Sequence, residues 1–463
     1  MIANQSKAVS LRRTLRAREY FTLAFGSMVG VGWMLVIDDW FSRGGSIGAM
    51  AGFLIGGLVL FPVAYVYGKL TEQIPDAGSE VAYTAAVFPT GVSFAAGWTM
   101  TFAYLIVCPY EAVSVGRILS YVFPQMNTIP LYSVGGRIIY LPHVIAGLTL
   151  TAVIVAINYR GVQISARFQN WTTFGLLAIF AVFSTLGLVR GSTANLQPLF
   201  ARELSVQGGI VSILMVLQIV PYFLTGFEAA PKCSEEAAAD FEPRHFTRSI
   251  YLALGMGIFF YVVVIGIVAL TQPWQSLIDK PFPTAFAFER AFGSRLLVQF
   301  IMFGVFLSLL KIFNGNFLTA TRLLFAMGRR RLVNERFAHI HERFQTPKLA
   351  VAFVGCLTVA ASFLGPAVLV WISDVGSLAS ATGWFVTCLA FLSGAAGILS
   401  GKAKLVGSIG ALVSALLILM KVLPFVPGSF GPFEFAATGG WALLGTILWM
   451  LQRGSLNRRD RSR

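Results

Sequence analysis

"FGSMVGVGW", residues 25–33, lies inside an apolar stretch that otherwise reads as a membrane-spanning helix. Glycine in a helix interior costs up to about 1 kcal/mol relative to alanine, and Gly26, Gly30 and Gly32 fall within two turns. They serve either close helix packing or a break in the helix. A second apolar stretch five helices later, "VPYFLTGFEAAP" (220–231), carries Pro221, Gly226 and Pro231. Interrupted helices at corresponding places in two halves of a chain mark a transporter binding site near the bilayer midplane. A break exposes N–H groups at the start of one half-helix and carbonyls at the end of the other, and in lipid both need partners. A substrate carrying a carboxylate and an ammonium supplies them, with the anion at the positive end of the helix dipole.

The surrounding composition agrees. Hydrophobic residues make up 56% of 463 and charged residues 12%, with mean hydropathy +0.74, outside the range of soluble domains. Apolar stretches of roughly 20 residues, the length needed to cross ~30 Å of hydrocarbon, recur along the chain. The expected spans are 20–42, 46–69, 93–123, 140–159, 167–190, 206–230, 247–271, 294–327, 349–364, 374–397, 404–425 and 436–452. The fold class expected is an all-α membrane protein with 12 transmembrane helices. Helices 1–5 (20–190) and 6–10 (206–397) form a 5+5 inverted repeat, helices 1 and 6 are discontinuous, and 404–452 holds helices 11 and 12. Residues 1–19 and 453–463 are tails. Most of the 35 Lys and Arg residues fall in the tails and alternate loops, which places both termini in the cytoplasm of a cell (inner or plasma) membrane protein. The net charge of +15 is scattered, so it reports orientation and contact with anionic lipid rather than nucleic acid. No cleavable leader is expected in the first 19 residues. The stretch 74–91 suggests a helix at the membrane interface. Cys108, Cys233, Cys356 and Cys388 lack metal spacing and read as packing residues, and no phosphate-loop motif for ATP occurs.

Four stretches resemble the amino acid-polyamine-organocation permeases. "GSMVGVG" (26–32) is similar to that family's first-helix pattern, "TGFEAAPKCSEEA" (225–237) to its sixth-helix signature, "TATRLLFAMGRRRLVNERFAHIHERFQTP" (319–347) to its eighth-helix motif, and "IPDAGSEVAYTAAVFPTG" (74–91) to the loop after helix 2. The resemblance implies a leucine-transporter-like repeat with substrate between helices 1, 3, 6 and 8. It implies that Gly26, Ser27, Met28, Gly30, Val31, Gly32 and Trp33 border the substrate, the N–H groups of Gly30, Val31 and Gly32 receiving its carboxylate. Carbonyls near Met28 and from Tyr222 to Thr225 would receive its ammonium, with Gly226 at the second break. Tyr222 and Phe223 fall where the family has an aromatic lid, and Glu228 on its helix-six glutamate, a gate or structural contact. Many members carry a lysine in helix 5 in place of sodium; "FQNWTTFGLLAIF" (168–180) has none.

A charge at the bilayer centre costs at least ~2.5 kcal/mol, so each needs a purpose. Glu111 lies mid-helix 3 and Lys311 mid-helix 8, and together they are expected to form the charge-compensating or proton-coupling element that the missing helix-five lysine would supply, unless they are a static pair. Asn314, three residues after Lys311, is expected to share its face and line the cavity, or else to hold helices together. Asp39 either attracts a cationic amine or pairs with Arg43 at a helix end. Glu235 and Glu236 are expected to meet Arg12, Arg13 or Arg167 in an inner gate. The function expected is a secondary active transporter of an amino acid or related small organic amine by alternating access, proton-coupled or an exchanger; a sodium-coupled symporter and a ligand-binding receptor of the same fold stand as alternatives. No enzyme constellation and no metal or cofactor site are expected, apart from the coupling proton or sodium, and the chain is expected to act as a monomer or weak homodimer.

Overall fold

The computed structural model describes residues 11–134, 137–202, 205–365 and 369–461. Apart from one antiparallel hairpin, Pro130–Val134 (β1) with Arg137–Tyr140 (β2), the named elements are helices. The first, Ala17–Met28 (α1), stops inside the opening glycine stretch and resumes as Gly32–Leu35 (α2) and Ile37–Leu58 (α3). Gly45 turns the chain within α3 at φ 71°, ψ −166°, where a side chain would meet the Phe200 backbone at 2.6 Å. Phe61–Gln73 (α4) follows. Glu80–Ala85 (α5) comes next, a short helix within the stretch 74–91, with Glu80 to Thr84 buried against the bundle and Glu80 bonded to a lysine.

Expected span 3 is two helices, Thr90–Leu105 (α6) and Val107–Val122 (α7), meeting at Ile106. Leu141–Tyr159 (α8) and Val162–Arg190 (α9) follow. The second interruption leaves Val206–Leu217 (α10), Val220–Leu224 (α11) and Ala229–Lys232 (α12). Arg244–Thr271 (α13) and the short Pro283–Phe292 (α14) precede Arg295–Arg329 (α15), whose first turn is capped by Ser294. The rest are Lys348–Ser362 (α16), Leu369–Ala390 (α17), Gly401–Val422 (α18) and Pro432–Arg461 (α19).

Nine helical stretches among the described residues are long and apolar enough to cross a membrane. The other expected spans are the two interrupted ones and the shorter α16. The protein is thus an all-α, multi-pass membrane protein. Exposed apolar side chains such as Leu443, Ile447, Met450 and Leu451 on α19 face outward, where a lipid solvent makes their exposure cheap. Inside, α1 packs against α9, α13 and α15, and α15 also against α6, α7 and α16, so both breaks lie in the middle of the bundle.

Candidate functional site

At the first break the glycines permit close approach: a Cβ on Gly30 would meet the Ile312 side chain at 2.6 Å and the Glu111 carboxylate at 2.7 Å. Val29 is extended (φ −96°, ψ 102°) after α1, and helical bonding restarts with Met34 N–H to the Val31 carbonyl at 2.9 Å. In the second break Thr225 is extended and Gly226 has φ 134°. The two breaks touch: a Cβ on Gly226 would sit 2.8 Å from the Met28 backbone nitrogen. Gly226→Ala is therefore expected to cost about 2 kcal/mol or more, from left-handed backbone strain and overlap together. It should lower the thermal midpoint of detergent-purified protein and remove substrate binding, both read in one thermal-shift titration.

Neighbouring helices satisfy most of the first break. Asn316 Nδ2 donates to the Ser27 carbonyl at 3.0 Å, Tyr261 Oη to Met28 at 3.0 Å, and Ser308 Oγ to Val29 at 3.0 Å and Gly30 at 2.7 Å. The Lys311 ammonium donates to the Gly26 carbonyl at 3.4 Å and, more closely, to that of Val29, and lies 5.1 Å from the Phe25 ring centre. On the other side of the break, the Gly30 N–H faces the Tyr261 hydroxyl and the Val31 N–H faces the Glu111 carboxylate. Tyr261 therefore bridges the gap, donating to one lip and facing the N–H of the other. The Met28 carbonyl and the Gly30 and Val31 N–H groups, expected to meet substrate, are taken by protein groups instead. Glu111 and Lys311, expected as a pair, answer opposite ends of the break, and no direct ion pair joins them among the described residues.

The second break differs. Among the described residues the carbonyls of Tyr222 to Thr225, at the end of α11, accept no hydrogen bond. The Thr225 hydroxyl donates to Pro221 O and Ser380 Oγ, and the Gly226 N–H donates to Glu228 Oε2 at 3.1 Å. Glu228 thus braces the break. Beside it is a fully buried pair, Lys232 Nζ to Glu80 Oε1 at 2.6 Å, to which Tyr67 Oη also donates at 2.6 Å.

Ser27, Met28, Gly30, Val31, Gly32, Glu111, Tyr222, Phe223 and Thr225, all expected at the site, meet around one cavity of ≈ 10 Å³, with Val107, Tyr110, Tyr261 and Ile312 completing its wall. That volume is about one water molecule. Gly26 instead packs on Gln169, where a Cβ would meet the side-chain nitrogen at 1.9 Å. Trp33 packs edge-on against Phe183 and Phe260. Asn314 turns to a separate cluster, bonding Asn158 at 3.0 Å, Ser165 at 3.0 Å and Gln169 at 2.8 Å. Residues three apart on a helix differ by about 60° in direction, enough to send Lys311 to α1 and Asn314 to α8 and α9. Sequence reasoning missed Tyr110, Tyr261 and Ser308; the signal available was a hydroxyl within an apolar helix, which in lipid must find a partner.

Ion pairs gather where the N-terminal segment meets the end of α15. Arg322 grips Glu236 through two bonds, 2.7 and 3.2 Å, with both side chains fully buried. Arg329 holds Glu235 and Asp76, and Arg330 holds Asp76 at 2.8 Å. The expected partners were Arg12, Arg13 or Arg167. Arg13 instead donates to the Ala237 carbonyl at 3.0 Å, because the N-terminal segment bridges to the chain at Ala237 through its backbone. A second cavity of ≈ 630 Å³ reaches Leu35 and Val36, about one helical turn past Gly32, and Ala112, next to Glu111. Asp38 and Asp39 line it, Asp39 paired with Arg43 at 2.8 Å.

Residues 16–451 match the family described as Amino acid permease. The chain is 23% identical over 338 residues to the amino-acid permease RocE of Bacillus subtilis (strain 168), covering 71% of this chain and 68% of the relative. It is 24% identical to that organism's methylthioribose transporter over 389 residues (82% and 81%) and 24% identical to its gamma-aminobutyric acid permease over 377 residues (78% and 75%). A match over nearly the whole chain, on a helical membrane bundle with a small cavity between two interrupted helices, makes this protein a member of the amino acid permease family, a transporter and not an enzyme.

Proposed function

We propose that the chain is a secondary active transporter that carries an amino acid or related small organic amine by alternating access, on a twelve-helix, leucine-transporter-like 5+5 inverted repeat with both termini cytoplasmic. The observation that carries this reading is the meeting of two helix breaks, Met28 against Gly226, at one closed cavity. In this reading the buried Arg–Glu contacts close the side of the N-terminal segment, and the larger cavity is the vestibule on the other face. This arrangement suits an outward-facing state in which the inner gate is shut. Rocking of one bundle would break the Arg322–Glu236 and Arg329–Glu235 contacts and close the vestibule. Counterflow tests it: proteoliposomes preloaded with substrate should take up labelled substrate faster than empty ones, whereas a receptor would bind without counterflow.

Lys311 supports the choice of coupling. Its ammonium already fills the place between the Gly26 and Val29 carbonyls where a sodium ion would need oxygen ligands. Transport by proton coupling or exchange then follows, with Lys311 as the resident cation. Replacing all sodium with choline is expected to leave the initial rate unchanged; a sodium requirement would exclude this role for the lysine.

A further inference from the structure

The first break already holds a tethered carboxylate and a tethered ammonium, the two groups that an α-amino acid would bring. Glu111 is 1% exposed and lines the cavity. Its Oε1 lies 2.7 Å from where a Cβ on Gly30 would be, and its carboxylate faces the Val31 N–H. Glu111 therefore takes one of the N–H groups expected to receive a substrate carboxylate. Its second oxygen, Oε2, has no partner. A buried unpaired carboxylate oxygen is costly to maintain, and here it borders the cavity.

Other features of the wall also favour a cation. The α11 carbonyls from Tyr222 to Thr225 accept no hydrogen bond among the described residues and present the negative end of that half-helix. Tyr110, Tyr222, Phe223 and Tyr261 supply ring faces, which attract ammonium groups. Of the groups expected to receive a carboxylate, Gly30 N–H faces the Tyr261 hydroxyl and Val31 N–H faces Glu111, which leaves the Gly32 N–H, and Lys311 is engaged with the α1 carbonyls. A substrate carboxylate would have to displace Glu111 or lie beside it, where like charges repel.

We infer that Glu111 is a specificity-determining residue that fills the carboxylate subsite from within, so that the substrate is an organic ammonium lacking a free carboxylate, held between Glu111 and the carbonyl end of α11. The inference rests on the transporter reading above and narrows its substrate class.

The test uses matched pairs on the full-length protein: leucine with leucinamide and isoamylamine, phenylalanine with phenethylamine, and ornithine with putrescine. Binding is read by thermal shift in detergent and exchange by counterflow in proteoliposomes. At least one amine or amide is expected to bind on the order of tenfold or more tightly than its parent acid, the scale of one unpaired buried group. Glu111→Gln should remove that preference. Glu111→Ser, which vacates the subsite, should bind the parent acid more tightly than wild type does. Because the wild-type comparison stands alone, a misfolded variant does not rescue the idea. Parent acids that bind and exchange as well as or better than their amines overturn the inference while leaving the transporter reading intact; exchange of neither series overturns both.

Discussion

Lys311→Met is expected to reduce substrate accumulation in proteoliposomes on the order of 100-fold while the protein still inserts and purifies. The side chain is fully buried, and its ammonium holds the Gly26 and Val29 carbonyls at the end of α1. Hydrogen bonds from a charged group are worth about 1.5–3 kcal/mol net, so losing both removes enough to shift the balance between conformations by that factor. Stability moves differently. Burying an ammonium costs several kcal/mol, and methionine fills nearly the same volume without that cost. Ser308 still donates to the Val29 carbonyl, so only the Gly26 carbonyl loses its partner. The thermal midpoint should stay close to wild type while transport collapses, which separates a coupling group from a structural one. Wild-type transport rates in Lys311→Met, with a pH profile unchanged both there and in Glu111→Gln, would remove Lys311 from the mechanism.

The parts of this site that were legible in the sequence are those where one residue type contradicts its surroundings. Glycines and prolines inside apolar stretches announced both breaks, because backbone freedom and a missing N–H are properties of the residue itself. Glu111 and Lys311 stood out because charge in hydrocarbon is costly wherever it points. Partners were harder to read. Tyr261, Ser308 and Asn316 close the first break from α13 and α15, and their reach depends on helix rotation and crossing, which a linear pattern does not contain. Asn314 shows the limit: its type and depth were plain, yet a small angular offset from Lys311 sends it to a different neighbour. The zwitterion expected at the first break was argued from bare peptide groups, and these turn out to be occupied by the chain's own side chains. The buried Glu80–Lys232 pair was missed because each residue, alone, fits a polar loop near a helix end.

Arg322→Ala is expected to unfasten the N-terminal side of the cavity and to destabilise the protein by about 3–5 kcal/mol, the cost of leaving one member of a buried ion pair without its partner. The guanidinium meets both oxygens of Glu236, and both side chains have no exposed surface. The backbone carbonyl of Glu236 receives the N–H groups of Thr14 and Leu15 at 2.8 and 2.9 Å. Arg322 therefore fixes the 234–238 segment on α15, and that segment fixes the N-terminal one. Cys233 lies directly beneath, fully buried, with its carbonyl bonded to Tyr20 Oη at 2.9 Å. In a background with Cys108, Cys356 and Cys388 changed to serine, a maleimide should label Cys233 slowly in the otherwise wild-type protein and on the order of tenfold or more faster in Arg322→Ala, since each 1.4 kcal/mol lost from the closed state raises the open population tenfold. Global unfolding is separated by temperature: labelling measured well below the lowered midpoint reports local opening. Glu236→Gln combined with Arg322→Met removes both charges, and it should recover much of the stability without restoring protection, because the two-bond grip is gone. Protection of Cys233 that survives in Arg322→Ala, although the midpoint has fallen, would reduce this pair from a gate to a structural brace and leave the Arg329–Glu235–Asp76 contacts as the closure.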